Sequence, residues 1–405
     1  MELIEIAILF IGAKISGILF NKIGQPSVGG EVLAGVILGS VLGFVTNTAE
    51  IEVVSQLGLI FLILSTTMQI NFNKINESGE KLLISQILSL VIQFILLMTA
   101  MFLFKINFYF ILLIMAGTFG TSINFALRTL FSLKLLGSKE GETIVGLEIV
   151  SDIIELVLIS SVLGVVESNE INPVPVIEIT LMFIGIFMIT SRLGYRFINF
   201  VTNEVQKFKI EGILLALTLM MVFLSIGFTE ALGISSFFGI MLVGLLMSRT
   251  QQAPMILEKF KLLGENLFIP IFFASLGLGV SLVPIIGSIN LVIFLLVSLI
   301  VIRMIMFSVP QKILKYSTIE SIKIGSAMLP LSSYGLFIMS LGVQHGLIDN
   351  VFYSVFVVVY LILNIFSPLI TTFFFKFKEP KHKIKWKGNS LVNRFTKKKD
   401  KNTTL

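Results

Sequence analysis

Three carboxylates stand close together in a segment that is otherwise apolar. The segment LEIVSDIIELVL, residues 147–158, holds Glu148, Asp152 and Glu155 and no basic residue. If the segment is an α-helix, the three side chains fall within about 60° of one another and share one face. Clustered like charges cannot all ionise in a medium of low dielectric constant, and burial disfavours the charged form. The spacing therefore indicates a site that holds either a proton or a cation; the alternative is a carboxylate permanently paired with Arg or Lys.

Two further residues bear on this chemistry. Ser151 borders the acidic face and could offer an oxygen to a cation, while Arg303, in SLIVIRMIMF, is the obvious counter-charge. An arginine stays protonated in proteins, so Arg303 cannot be the proton carrier. We expect it to fix an acid or to offset helix dipole ends when the site is empty; the alternative is that it snorkels to the inner membrane surface.

The composition places this cluster in a membrane protein. The chain is 55% hydrophobic and 13% charged, against about 25% charged residues in a soluble domain. Cysteine is absent, which excludes disulfides and thiol chemistry, and the two histidines, His345 and His382, are far apart. An intramembrane aspartyl protease would need a second aspartate within a helix, but Asp349 and Asp400 fall near a loop and in the tail. We therefore expect a transporter rather than an enzyme.

Apolar runs long enough to cross a bilayer, about 20 residues each, recur along the whole chain. They predict an all-α polytopic protein with about 13 transmembrane helices, at roughly 3–21, 28–46, 53–70, 82–104, 107–130, 142–166, 174–200, 210–229, 233–248, 266–283, 287–309, 318–343 and 348–375. The transmembrane domain would span 1–375, followed by a basic cytoplasmic tail at 376–405.

The distribution of basic residues predicts the orientation. With the N-terminus outside, 27 of the 30 Lys and Arg residues fall in inside loops or in the tail, as the positive-inside rule requires. The tail carries eleven of them against Glu379 and Asp400, which favours contact with anionic lipid headgroups over binding of nucleic acid. The alternative is that the tail is only a topology signal.

Two of the predicted helices are interrupted. Gly120, Thr121 and Ser122 break the run IMAGTFGTSINFALRTL, and Pro330 and Ser332 break AMLPLSSYGLFIMSLG. Non-helical backbone at membrane depth survives only where it lines a cavity or is buried in protein. Paired interruptions in two halves of a chain point to the binding site of an inverted-repeat transporter.

The two interruptions occupy corresponding places. Each lies in the fifth helix of a six-helix half, with repeat 1 at about 1–166, a linker helix at about 174–200 and repeat 2 at about 210–375. We therefore expect two crossed discontinuous helices beside the acidic helix.

Several segments in order resemble those of a known family. They are IGQPSVGGEVLAGVILGS (23–40), TSINFALRTLFSLKLLGSKEGETIVGLEIVSDI, TEALGISSFFGIMLVGLLMS (229–248), FIPIFFASLGLGVSL (268–282) and LPLSSYGLFIMSLG (329–342). Together they resemble the monovalent cation:proton antiporters of the CPA2 group, which includes bacterial Na⁺/H⁺ antiporters and K⁺ efflux transporters. One departure is that many relatives carry Arg-Gly-Glu near Ser332–Ser333–Tyr334, where this chain has neither charge.

The resemblance implies the Na⁺/H⁺ antiporter fold, a homodimer and specific roles. The family's ion-binding aspartate falls on Asp152, and its basic residue on the partner helix matches Arg303. Thr121 and Ser122 fall on the unwound segment that faces the ion. Electrogenic members have two adjacent aspartates; here Ser151 precedes Asp152, which favours electroneutral exchange. No fused nucleotide-binding domain is expected.

The resulting hypothesis is a secondary antiporter without cofactors, in which one carboxylate, Asp152, alternately binds H⁺ and Na⁺ or K⁺. Ser151, Thr121 and freed backbone carbonyls would supply further oxygens. Glu148 and Glu155 would line the access funnel or tune Asp152, and we expect Glu155 to lie in the funnel. The alternative is a cation-coupled symporter of an organic solute on a related fold.

Overall fold

The computed structural model describes residues 2–69, 79–135, 137–168, 185, 194–207, 212–232 and 235–377. Within these ranges the protein consists of helices joined by short connections, and no β-strand is formed. The expected all-α class is confirmed. The basic tail after Phe377 and most of the expected linker helix lie outside the described residues.

The helices follow one another in a simple order. They are α1 (Glu2–Lys22), α2 (Ser27–Val36, continued by a π-helical turn Ile37–Val41), α3 (Ala49–Met68), α4 (Gly79–Phe104), α5 (Phe108–Phe119), α6 (Ile123–Ser132), α7 (Lys139–Ser168), α8 (Tyr195–Gln206), α9 (Ile213–Ala231), α10 (Ser236–Met247), α11 (Ala253–Leu263), α12 (Ile269–Leu278), α13 (Leu282–Gly287), α14 (Ile289–Ile313), α15 (Thr318–Ala327), α16 (Tyr334–Gln344) and α17 (Asn350–Phe375).

The expected spans correspond closely to these helices. Seven helical stretches in the described ranges are long and apolar enough to cross a membrane, and shorter apolar helices accompany them. The interrupted helices are α5–α6 and α15–α16, as expected. The count of thirteen is not established, because the linker at 174–200 is described only in small part.

One expected boundary is wrong. The sequence predicts a joint before a span at 266–283, but α11 begins at Ala253 and runs through a π-helical turn, Gly264–Phe268, into α12. Pro254 sits in the first turn, where its missing N–H costs nothing. The charged residues of EKFK, of which Glu258 is exposed and Lys259 and Lys261 are half-buried, belong to a continuous helix and do not mark a loop.

Helix packing divides the described part of the chain into two groups. In the first, α1, α2 and α3 pack against α12, and α3 also packs against α10. In the second, α4, α5 and α7 pack against one another, α14 packs against α4 and α15, and α17 packs against α15 and α16. Contacts of α7 with α10 and of α12 with α16 join the groups. All residues of the predicted ion site lie in the second group.

Candidate functional site

The two interrupted helices cross at their breaks. The chain is extended between α5 and α6 and again between α15 and α16, and Thr121 and Leu331 pair there as an isolated antiparallel bridge. The Ser332 N–H donates to the Gly120 carbonyl at 3.3 Å. The expected crossing of two discontinuous helices is therefore present.

Glycines permit the close approach at this point. A Cβ atom built on Gly335 would overlap the Gly117 carbonyl oxygen, so the backbones of α5 and α16 meet without side chains between them. A Cβ atom on Gly120 would overlap the carboxylate of Glu155. The glycines near the first break thus make room for a second helix and for an acidic side chain.

Arg303 holds the ends of the half-helices together. Its side chain is 0% exposed and donates to five backbone carbonyls on both sides of the crossing, those of Thr118, Gly120, Met328, Leu329 and Pro330. These carbonyls lie at or just beyond the C-terminal ends of α5 and α15, which carry partial negative charge. The snorkelling alternative is wrong, because Arg303 is buried at the helix ends.

The same side chain does not pair with an acid. Glu148 and Glu155 are electrostatic neighbours of the guanidinium, but no ion pair joins Arg303 to a carboxylate among the described residues. The positive charge therefore acts on the acids through space while its N–H groups serve the backbone.

The three acids of α7 have different surroundings. Glu148 is 0% exposed and accepts a hydrogen bond of 2.5 Å from the Thr121 hydroxyl. Glu155 is also 0% exposed; the Ser332 hydroxyl faces it, but neither oxygen has a well-formed hydrogen bond with the described part of the chain. Asp152 is only partly buried. The acid expected to bind the ion is thus the least buried of the three, and the expected place of Glu155 in an access funnel stays a prediction.

The other predicted site residues lie close to the breaks or to Asp152. Ser151 is fully buried on α7, and its hydroxyl has no hydrogen-bond partner among the described residues. Ser122 is half-buried directly before α6. The Ser332 hydroxyl accepts from the Tyr334 N–H at 3.2 Å. Pro330 takes part through its carbonyl, which binds Arg303.

Two site residues were not anticipated from the sequence. Asn364 of α17 bonds both backbone groups of Leu331 at the crossing. Gln93 of α4 donates to the Thr118 hydroxyl at 3.0 Å, just before the first break. Each is a buried amide within a long apolar helix, and a polar residue at membrane depth is the kind of signal that could have identified them.

The arrangement is chemically suited to a monovalent cation. A half-buried carboxylate on α7 and the hydroxyl and carbonyl oxygens at the breaks are the kind of ligand that hard cations prefer. A proton at Asp152 would neutralise the same charge that a cation would, so two such ligands would compete for one position.

Comparison with known proteins supports a relationship along nearly the whole chain. The family model described as "Sodium/hydrogen exchanger, transmembrane" matches residues 7–377. The Na⁺/H⁺-K⁺ antiporter GerN of Bacillus cereus is 21% identical over 93% of this chain and 96% of its own length. The Na⁺/H⁺ antiporter of Enterococcus hirae is 25% identical over 93% of this chain and 99% of its own length.

The fold also matches a solved structure. The sodium proton antiporter MjNhaP1 from Methanocaldococcus jannaschii superposes with a TM-score of 0.73, covering 92% of this chain and 99% of the other, at 15% identity. The expected antiporter fold is confirmed by this match.

Proposed function

This chain belongs to the sodium/hydrogen exchanger family, and from that premise we propose that it exchanges a monovalent cation for a proton, with Asp152 binding each in turn. The expected membership of the cation:proton antiporters is thereby confirmed, and the protein is a multi-pass transporter, not an enzyme. The observation that carries the proposed site is the contrast within α7: Asp152 is only partly buried, whereas Glu148 and Glu155 are fully buried.

The cation would be held by Asp152 together with oxygens from α7 and from the first break. Ser151 lies directly before Asp152 on α7, and Thr121 and Ser122 lie in the extended segment between α5 and α6. Bare alkali ions need several oxygens to replace their hydration shell. The Ser151 hydroxyl, which has no other partner within the described ranges, is free to serve as one of them.

Coupling follows from competition at a single carboxylate. When Asp152 is ionised it can take Na⁺ or K⁺, and when it is protonated the cation must leave. A mobile bundle containing α5, α6, α7, α14, α15 and α16 would carry the site between the two membrane faces, against a scaffold that includes α1, α2, α3 and α12. Alternating access of this kind requires no communication with a distant site.

We propose that one cation exchanges for one proton. Ser151 occupies the position before Asp152, so the pair of adjacent aspartates is absent. The net charge of Asp152 with its ligand is the same whether that ligand is H⁺ or an alkali ion. Transport by this single group is then electroneutral.

The names of the relatives favour antiport over the alternative. Both curated proteins reported above are named antiporters, and nothing supports the symporter of an organic solute. Their names include both Na⁺ and K⁺, so either ion is a candidate substrate of this chain.

The membrane setting is part of the same proposal. We place the protein in the cell membrane with its N-terminus outside, its C-terminus in the cytoplasm and its basic tail against anionic lipid. We also propose a homodimer, on the resemblance to the family.

A flux assay tests this function. Purified protein in liposomes containing a pH-sensitive dye is challenged with Li⁺, Na⁺, K⁺ or Rb⁺, and cation-dependent proton movement is recorded. We expect exchange by the wild type and none by Asp152→Asn, with Glu230→Gln, at the end of α9, as the control. Exchange retained by folded Asp152→Asn would place the ion elsewhere.

A further inference from the structure

The second broken helix has a support of its own, which lies on α17. This helix follows the α15–α16 break as α7 follows the α5–α6 break. Asn364 is 3% exposed near the middle of α17. Its side-chain oxygen accepts from the Leu331 N–H at 2.8 Å, and its side-chain nitrogen donates to the Leu331 carbonyl at 3.3 Å. One side chain thus satisfies both backbone groups of an extended residue.

The carboxamide pairs with the free backbone edge of Leu331 as a neighbouring β-strand would. Leu331 pairs with Thr121 in the isolated bridge and binds Asn364 through its own N–H and carbonyl. Only a side chain with one donor and one acceptor in fixed relation can match a backbone edge in this way, and Asn has both. Leu331 is 0% exposed, so water does not replace the bonds.

The extended segment of each broken helix, which we call an arm of the crossing, is therefore hydrogen-bonded to the helix that follows it. Thr121, in the first arm between α5 and α6, donates to Glu148 of α7. Leu331, in the second arm between α15 and α16, is bonded to Asn364 of α17. Since Thr121 and Leu331 are bridge partners, a shift of the second arm moves the oxygens of the first. The Glu148 tether is ionisable, whereas the Asn364 tether has the same charge at every pH.

We propose that Asn364 is a positioning residue that sets the cation affinity and ion selectivity of the Asp152 site by fixing the register of the second broken helix. This inference rests on the proposed antiport. Alkali ions differ mainly in radius, so their discrimination depends on how far the ligand oxygens can move. By fixing Leu331, the bridge partner of Thr121, Asn364 limits the movement of the ligand oxygens without contacting the ion.

The test compares Asn364→Leu with Ser367→Ala in the liposome flux assay. Ser367 is a matched control, because it is 0% exposed on the same helix and its hydroxyl donates only within α17, to the Asn364 carbonyl. For Asn364→Leu we expect the half-saturating cation concentration to rise about tenfold, as for one lost buried hydrogen-bonding group. The ratios among Li⁺, Na⁺, K⁺ and Rb⁺ should move towards one. Ser367→Ala should keep the wild-type affinities and ratios.

A purely structural role for Asn364 would give a different pattern. It would lower the amount of folded protein and the maximal rate but leave the half-saturating concentrations and their ratios unchanged, and that result would overturn the proposal. Asn364→Ser, which removes the carboxamide without adding bulk, is judged by the same criteria if Asn364→Leu does not fold. If the wild type itself shows no cation-dependent proton movement, the proposed function fails. If the wild type exchanges normally and a folded Asn364 variant has the same cation affinities and ratios, only the role of Asn364 fails.

Discussion

Replacing Arg303 by Met should destabilise the protein strongly, because one side chain serves five carbonyls at the crossing. Its Nη2 atom serves three of them with two hydrogens, so about four full bonds exist. The Gly120 carbonyl keeps the Ser332 N–H after the substitution, which leaves the other four carbonyls without a donor. Each buried orphan costs about 1–3 kcal/mol.

The net loss should be smaller than the sum of these costs. Removing the guanidinium also removes the cost of burying a charge, and loss of one partner from a buried ionic arrangement typically costs about 3–5 kcal/mol. We expect Arg303→Met to lose about that much. Arg303→Lys should fall between Met and the wild type, because an ammonium has three donors instead of five.

Thermal unfolding in detergent measures this effect. Arg128→Met is the matched control, since Arg128 is exposed and donates a hydrogen bond to Asn21 of α1 at 2.9 Å. Surface changes of this kind stay within about 0.5 kcal/mol. We expect midpoints in the order wild type and Arg128→Met, then Arg303→Lys, then Arg303→Met. Equal midpoints for Arg303→Met and Arg128→Met would refute the view that Arg303 stabilises the crossing.

Two further substitutions test other parts of the structure. Gly120→Ala places a methyl group where the Glu155 carboxylate lies, so it should lower the free energy of unfolding by about 1–3 kcal/mol and abolish exchange. Gly227→Ala, with open space around it, should be neutral or stabilising. A Gly120→Ala protein that is stable and fully active would contradict the close approach. Glu320 accepts from the Ser317 N–H at 2.7 Å, which caps α15, and pairs with Lys139 at 3.4 Å. Glu320→Gln keeps a capping acceptor but removes the charge, so it should cost about 0.5–1 kcal/mol at low salt and less at high salt, as unfolding midpoints at both salt concentrations will show. A cost independent of salt would exclude the ionic contribution.

Much of this site could be predicted because membrane-embedded polar residues are few. The acidic face of α7 and both helix breaks follow from residue types at helical spacing, and the structure brings Thr121 into contact with Glu148. The family resemblance added the assignment of Asp152, which stays a prediction.

The features that could not be predicted depend on contacts made by backbone atoms and on how deeply each side chain is buried. The partners of Arg303 are backbone carbonyls, which every residue type has. The sequence therefore did not decide whether Arg303 pairs with an acid or binds the ends of the half-helices. Periodicity places Glu148, Asp152 and Glu155 on one face but does not distinguish their exposure. The start of α11 was missed because the charges of Glu258 and Lys259 suggest a loop, whereas in the structure both residues lie within a helix, Glu258 exposed and Lys259 half-buried.

The most direct measurement of the central claim is the proton released when a cation binds. Purified protein in weakly buffered detergent solution receives saturating Na⁺ or K⁺, and the protons liberated per chain are counted. If Asp152 exchanges H⁺ for the cation, the wild type will release up to one proton per chain and Asp152→Asn none. Equal proton release by folded Asp152→Asn and wild type, or cation binding by the wild type without any release, would contradict the claim.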